Sequence, residues 1–321
     1  LKRGSGILRD LMLGHLLSNA VKYSPRAGAI TLNARVQACW INPAVQPAAP
    51  AAAVAPSCAG YPATRMGHAA CALSNTVKAF SGQVNFGLAT FAIIQTSCAA
   101  NCYAACQYFC YGAELSTTGF CVGCGPRPGN ATTRAGAIIR QPMLMDIVPP
   151  PATNVPSLLA WADNSCTGST ELFPAGNTPL NGMLLDMKRY FASGWTSPDL
   201  ALSFPSPLSA SDPSCRSVNV ILLTDGDETC DSQQDAVNAA TGLRTPGVTV
   251  GGNTFSIKTH VINFAGGNQA NTDAIAAAGG TVSSYFATNE VQLSQALSNI
   301  IAGAIKPETC DNLDNNCNGC T

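Results

Sequence analysis

The sequence predicts an α/β fold, a mostly parallel central sheet flanked by helices, from three observations. Val218-Asn219-Val220-Ile221-Leu222-Leu223-Thr224 is a strand-favouring run with little polar interruption, the pattern of a parallel strand buried on both faces. After it, strand-like and helix-like segments alternate, as they do when each parallel strand is followed by a covering helix. The run also stops abruptly at Thr224-Asp225-Gly226, and ligand sites in such sheets lie just past strand carboxyl ends. Asp225 is therefore a candidate site residue.

The elements follow in order. Residues 1–37 differ from the rest: 8–21 have helical apolar spacing, 24–28 form a turn, and 29–36 alternate like a strand. Residues 38–63 read as a linker, rich in Ala and Pro and poorly able to pack. Residues 64–80 suit a helix with Leu73, Val77 and Phe80 on one face, and 84–91 alternate as a strand. A cysteine-dense insertion covers 98–124. A strand is expected over 137–148, closed by three prolines, then a short helix over 155–162 and a longer amphipathic one over 180–191. Beyond the run at Val218, helices are expected over 232–243, 271–278 and 291–301, with strands over 256–264 and 281–286. Residues 306–321 are rich in Asp, Asn and Cys and cannot make a core.

Bulk composition narrows the function classes. The 321 residues carry a net charge of −1 with 11% charged side chains, unlike the basic footprint of a nucleic-acid binder. No uninterrupted apolar run approaches the ~20 residues of a membrane span. Fifteen cysteines argue for an oxidising compartment, hence a secreted or cell-surface setting. The odd count leaves at least one thiol unpaired within the chain. Beginning at Leu1 and stopping inside a patterned segment, the chain reads as a fragment at both ends.

Residues 64–305 resemble a von Willebrand factor A (vWA) domain of the bacterial, secreted, cysteine-rich type. The landmarks are 84–91 as the second strand, Asn177-Thr178-Pro179-Leu180, Leu222-Leu223-Thr224-Asp225-Gly226, Thr259-His260-Val261-Ile262-Asn263-Phe264 and Ala277-Ala278-Gly279-Gly280-Thr281. The resemblance implies a Rossmann-like fold with a metal-ion-dependent adhesion site (MIDAS) at the sheet's carboxyl edge. In that family a first strand ends in Asp-x-Ser-x-Ser, a second loop supplies a Thr and a third loop an Asp. Thr178 matches the second and Asp225 the third. Mg²⁺ or Mn²⁺ held by such hard oxygens would leave one position for a partner's carboxylate. Read as residues alone, Thr178 before Pro179 also fits a helix cap, and Asp225 a cap or turn.

The departure lies at the first strand. No Asp-x-Ser-x-Ser ends a hydrophobic strand upstream of Thr64, and the nearest imitation, Asp163-Asn164-Ser165-Cys166-Thr167, follows the wrong strands. The first strand is expected to be missing, with 29–36 the best substitute, and metal binding at Thr178 and Asp225 weak or lost. Residues 15–25, His15-Leu16-Leu17-Ser18-Asn19-Ala20-Val21-Lys22-Tyr23-Ser24-Pro25, resemble the N-box helix of a sensor histidine kinase. That resemblance implies a nucleotide-metal role for Asn19, yet His15 stands where the family has a second Asn and no glycine-rich lid follows. A kinase fragment joined by artefact to a vWA domain is thus one expectation.

Cys98, Cys102, Cys106 and Cys110 recur every four residues, which would place them on one helical face, and Cys121 and Cys124 follow. Zn²⁺ is an alternative for Cys-x-x-Cys, but the compartment favours disulfides. Cys71 reads as a buried thiol on an apolar helix face. In the tail, Asp314, Asn316 and Asn318 match the opening of a Ca²⁺ loop, while Cys310 and Cys317 could pin a linker. Asn130-Ala131-Thr132 fits a glycosylation sequon. His15, His68 and His260 are the only histidines, and none sits in a nucleophile motif. The expected function is a non-enzymatic adhesion module recognising protein or glycan at a degenerate MIDAS. A disulfide-stabilised scaffold with a dead metal site is the alternative.

Overall fold

The computed structural model describes residues 36–42, 58–81, 84–91, 94–97, 107–109, 126–127, 130–134, 136–143, 154–165, 170–172, 178–196, 202–211 and 217–304. Its centre is a six-stranded sheet: β1 (Val36–Asn42), β2 (Val84–Phe91), β3 (Ala137–Gln141), β4 (Val218–Thr224), β5 (Ile257–Phe264) and β6 (Tyr285–Ala287). The order across it is β6-β5-β4-β1-β2-β3. Five strands run parallel, and β3 lies antiparallel to β2 at one edge. This is the doubly wound arrangement, in which the strand order reverses between β1 and β4.

Among the described residues six helices cover the sheet: α1 (Arg65–Ala79), α2 (Val155–Leu159), α3 (Leu180–Ser193), α4 (Gln233–Arg244), α5 (Gln269–Ala278) and α6 (Glu290–Ala304). Alternation along β4 shows the two layers. Val220 and Leu222 pack with Met183, Ala236 and Ile275 from α3, α4 and α5. Ile221 and Leu223 pack with Leu73, Leu158 and Leu297 from α1, α2 and α6. The strand is buried at every position because each of its faces meets its own helical layer. Within one layer Gly136 permits close approach, since a Cβ there would lie 1.9 Å from the Gly182 carbonyl carbon in α3.

The strand at the centre corrects the expectation that it is missing. β1, Val36–Asn42, pairs in parallel with β4 from Gln37↔Val218 to Ile41↔Leu222 and with β2 from Val36↔Val84 to Asn42↔Thr90. The substitute expected at 29–36 shares only Val36 with it, and the sheet begins inside segments read as fragment and linker. Gln37 and Asn42 break the apolar run that marks a central strand, which hid it in the sequence. Among the described residues the other expected elements stand, with the helix expected over 155–162 ending at Leu159, the strand expected over 137–148 ending at Gln141 and that over 281–286 confined to β6; the helix and turn expected over 8–28 lie outside the described residues.

Two cysteine expectations also change. Gln107–Phe109, which falls within the cysteine repeat, is a strand antiparallel to Ile94–Ser97 and not helix. Cys71 is no free thiol: it is bridged to Cys58, thirteen residues earlier. The candidates Cys98, Cys102, Cys106, Cys110, Cys121, Cys124, Cys310 and Cys317 lie outside the described residues, as do the N-box segment and the tail residues Asp314, Asn316 and Asn318.

Candidate functional site

In a doubly wound sheet the crevice for a ligand opens past the strand carboxyl ends where the order reverses. Here that point lies between β1 and β4, and Asp225 is the first residue beyond β4. Thr224 shapes the turn, its hydroxyl donating to the Gly226 carbonyl (2.9 Å) and accepting from the Gly226 N–H (3.2 Å). The loop after β5 presses on the same turn. A Cβ on Gly266 would meet the Asp225 carbonyl oxygen at 1.6 Å, so only glycine fits. Beside it Ala265 holds φ +57°, a left-handed conformation that strains a residue with a Cβ. Asn268 N–H then donates to Asp227 Oδ1 (2.8 Å).

The structure places Thr178 beside this turn. Its N–H donates to Thr229 Oγ1 (2.8 Å), the Thr229 N–H donates back to the Thr178 carbonyl (3.2 Å), and its hydroxyl lies 3.0 Å from where a Gly226 Cβ would stand. Neither capping alternative is seen. The N-cap of α3 is Pro179, and the α4 cap is Ser232 in a capping box with Asp235.

Glu228 is the residue that fastens these loops. Its carboxylate accepts from Asn181 N–H (2.5 Å), Cys230 N–H (2.7 Å) and Asp231 N–H (3.1 Å). It thereby caps α3 from another segment, satisfying a donor that Pro179 cannot. Burial raises its pKa, against the opposing pull of those N–H groups. Asn181 Nδ2 adds a bond to Asp231 Oδ2 (3.0 Å).

Arg65 is the residue that sequence reasoning missed. Thr64 caps α1 by accepting from Gly67 N–H (3.1 Å), which makes Arg65 the first helical residue. Its guanidinium stands 3.1 Å from Asp225 Oδ2, with side-chain exposures of 27% and 7%. A cation at a helix N-terminus opposes the macrodipole by about 0.3–1 kcal/mol, and that misplacement was the one signal available in the sequence. One turn on, His68 pairs with Glu290 of α6, both side chains nearly fully buried, tying the two helix starts together.

The donors do not fit a MIDAS ion. Mg²⁺ asks for near-octahedral hard oxygens. Of the ligand set that the resemblance implies, the sequence carries no Asp-x-Ser-x-Ser ahead of Thr64 and supplies only Thr178 and Asp225, and a guanidinium stands 3.1 Å from Asp225 Oδ2. The imitation at Asp163 serves its own turn, accepting from Ser165 N–H (2.8 Å).

Solved structures with a similar arrangement include the vWA domain of Catenulispora acidiphila, at 13% identity over 87% of this chain and 44% of that one, with a TM-score of 0.41. The pilus adhesin SpaC of Lactobacillus rhamnosus GG, in its open conformation, is similar at 11% identity over 86% and 30%, with a TM-score of 0.44. A point mutant of the PilB minor pilin of Streptococcus sanguinis is similar at 14% identity over 87% and 62%, with a TM-score of 0.40. The chain thus spans less than half of the first two. With scores below 0.5 these likenesses carry no argument; the strand order and the antiparallel edge establish a doubly wound, Rossmann-like α/β sheet, the class that the vWA resemblance implies. The fold is vWA-like. No protein-family model and no curated protein matches the sequence.

Proposed function

We propose that the chain is a binding module, not an enzyme, that takes a protein or glycan partner at the carboxyl edge of its sheet in an extracellular or cell-surface setting. The observation that supports this is the convergence of the loops at 178–181, 225–231 and 265–268 on the β1–β4 switch point. They are fastened by Glu228 and by backbone hydrogen bonds into a preformed rim. A rim ordered before contact avoids the entropy of ordering at binding. Asp227 and the exposed Thr229 and Asn268 are its outward polar groups. Cys58–Cys71 and the disulfide-bonded Cys230 fit an oxidising setting. Of the described histidines, His68 pairs with Glu290 with both side chains buried, and His260 Nε2 lies 3.2 Å from Asn219 Oδ1. Among the described residues, no helix is long and apolar enough to cross a membrane.

The test is a panel of immobilised extracellular proteins and glycans probed with the wild-type chain, Asp227→Lys, Asn268→Ala and, on an exposed face of α6, Gln295→Ala. At least one component should bind wild type and Gln295→Ala equally while losing about tenfold or more with Asp227→Lys, the equivalent of 1.4 kcal/mol. Binding indifferent to the rim variants, or no binding across the panel, would overturn the assignment.

A further inference from the structure

We propose that Arg65 is the resident cation of the Asp225 site: its guanidinium takes up the Asp225 oxygen that the vWA resemblance would assign to a divalent ion, so this edge works without metal. The inference concerns the charge inside the site and stands whether or not a partner binds at the rim.

Three features carry it. First, Asp225 is nearly buried at the end of the central strand pair, and an ionised carboxylate so placed requires a counter-charge or several hydrogen-bond donors. Two neighbouring carboxylates accept from backbone donors, Asp227 from Asn268 N–H and Glu228 from three N–H groups, and Asp231 accepts from Asn181 Nδ2. Asp225 Oδ2 is met by a cation, at 3.1 Å.

Second, Arg65 is placed for this and for little else. As the first residue of the helix that follows β1, it projects from the edge at which Asp225 ends β4. The helix itself disfavours a cation there, so the attraction that holds the guanidinium comes from Asp225. Third, an arginine is charged at every accessible pH and is less strongly hydrated than an ammonium. It neutralises a buried acid without drawing on free ions. A divalent ion entering the same position would have to displace it and would find Asp225 and Thr178 as the only matching donors among the described residues.

The test uses the full chain with Mn²⁺ alone, read by Mn²⁺ electron paramagnetic resonance and by thermal unfolding. The variants are Arg65→Met, which keeps the aliphatic stem, Asp225→Asn, and the two combined. The wild-type midpoint should be the same in EDTA and in about 10 mM Mn²⁺, since an ion that does not bind the native state cannot stabilise it. Arg65→Met should unfold at lower temperature and bind Mn²⁺ roughly tenfold more tightly than wild type, with recovery of the midpoint. The double variant should lose both the Mn²⁺ response and the instability. If Arg65→Met does not fold, Arg65→Gln replaces it. Saturable Mn²⁺ binding to wild type that Asp225→Asn removes would overturn the proposal. An Arg65→Met chain that is destabilised yet silent to Mn²⁺ would reduce the contact to an ordinary ion pair, and overturn it too.

Discussion

His260 lies in β5 opposite Ile221 of β4, its Nε2 3.2 Å from Asn219 Oδ1. Burial, and then the charge of nearby Lys258, lower its pKa to about 4 from 6.5. Between those values the unfolded chain holds a proton that the folded chain has released, so stability rises with pH across that window and falls as pH drops. Wild type should lose roughly 2–3 kcal/mol between pH 7 and pH 4 relative to His260→Gln, because each tenfold difference in proton affinity between the folded and unfolded chain is worth about 1.36 kcal/mol. Urea unfolding at several pH values checks this, and parallel profiles would refute it. The sequence showed His260 only as a histidine without a nucleophile motif. Its environment depends on a partner strand whose Asn219 is 41 residues away in sequence. Arg65 was hidden for a related reason. One arginine at the start of a helix reads as surface until the strand 160 residues later delivers a carboxylate to it.

At the scale of elements, the helices and the outer strands were legible because their signals are local. Thr64 before an apolar-periodic segment and Ser232 with Asp235 three residues on are helix starts written in adjacent residues. The α3 start was legible as an element but not as a joint, because its cap arrives from Glu228 in another segment. Pro179 offers no side-chain bond, and the donor at Asn181 is met by that carboxylate. Glu228→Ala should therefore act on two segments together. It strands donors at Asn181, Cys230 and Asp231, each costing up to about 1–3 kcal/mol if left unsatisfied and less where water reaches it. The expected loss, with water meeting part of the need, is about 3 kcal/mol in denaturant unfolding. Amide exchange should quicken at the start of α3 and in 228–231 together, while the core of β4 stays protected. Faster exchange in one loop alone would show that Glu228 does not join them.

Over the whole molecule, the sheet is continuous only because β1 lies between β2 and β4. Parallel pairing is set by contacts distant in sequence, so no local pattern announces which segment takes the centre. Val36–Asn42, with Gln37 and Asn42 and an Ala/Pro-rich stretch after it, gave less local signal than the apolar run of β4. The carboxyl end of β4 was legible from that run alone; the strand beside it was not. This placement makes β1 decisive for folding although it is only seven residues long. A central strand uses the N–H groups of successive residues on one neighbour or the other, so a proline there removes a ladder bond that nothing replaces. Ala38 pairs with Asn219 on one side and Phe86 on the other, and Ala38→Pro should cost about 3 kcal/mol or more. Deleting Val36–Asn42 goes further. It leaves β2 and β4 with unpaired inner edges and separates the apolar faces of both helical layers, which share the sheet as their common wall. Such a chain should retain far-ultraviolet helical signal, lose near-ultraviolet aromatic signal and bind a hydrophobic dye, the marks of collapse without fixed packing. A deletion chain with native near-ultraviolet signal and a cooperative melt would place another segment at the centre of the sheet.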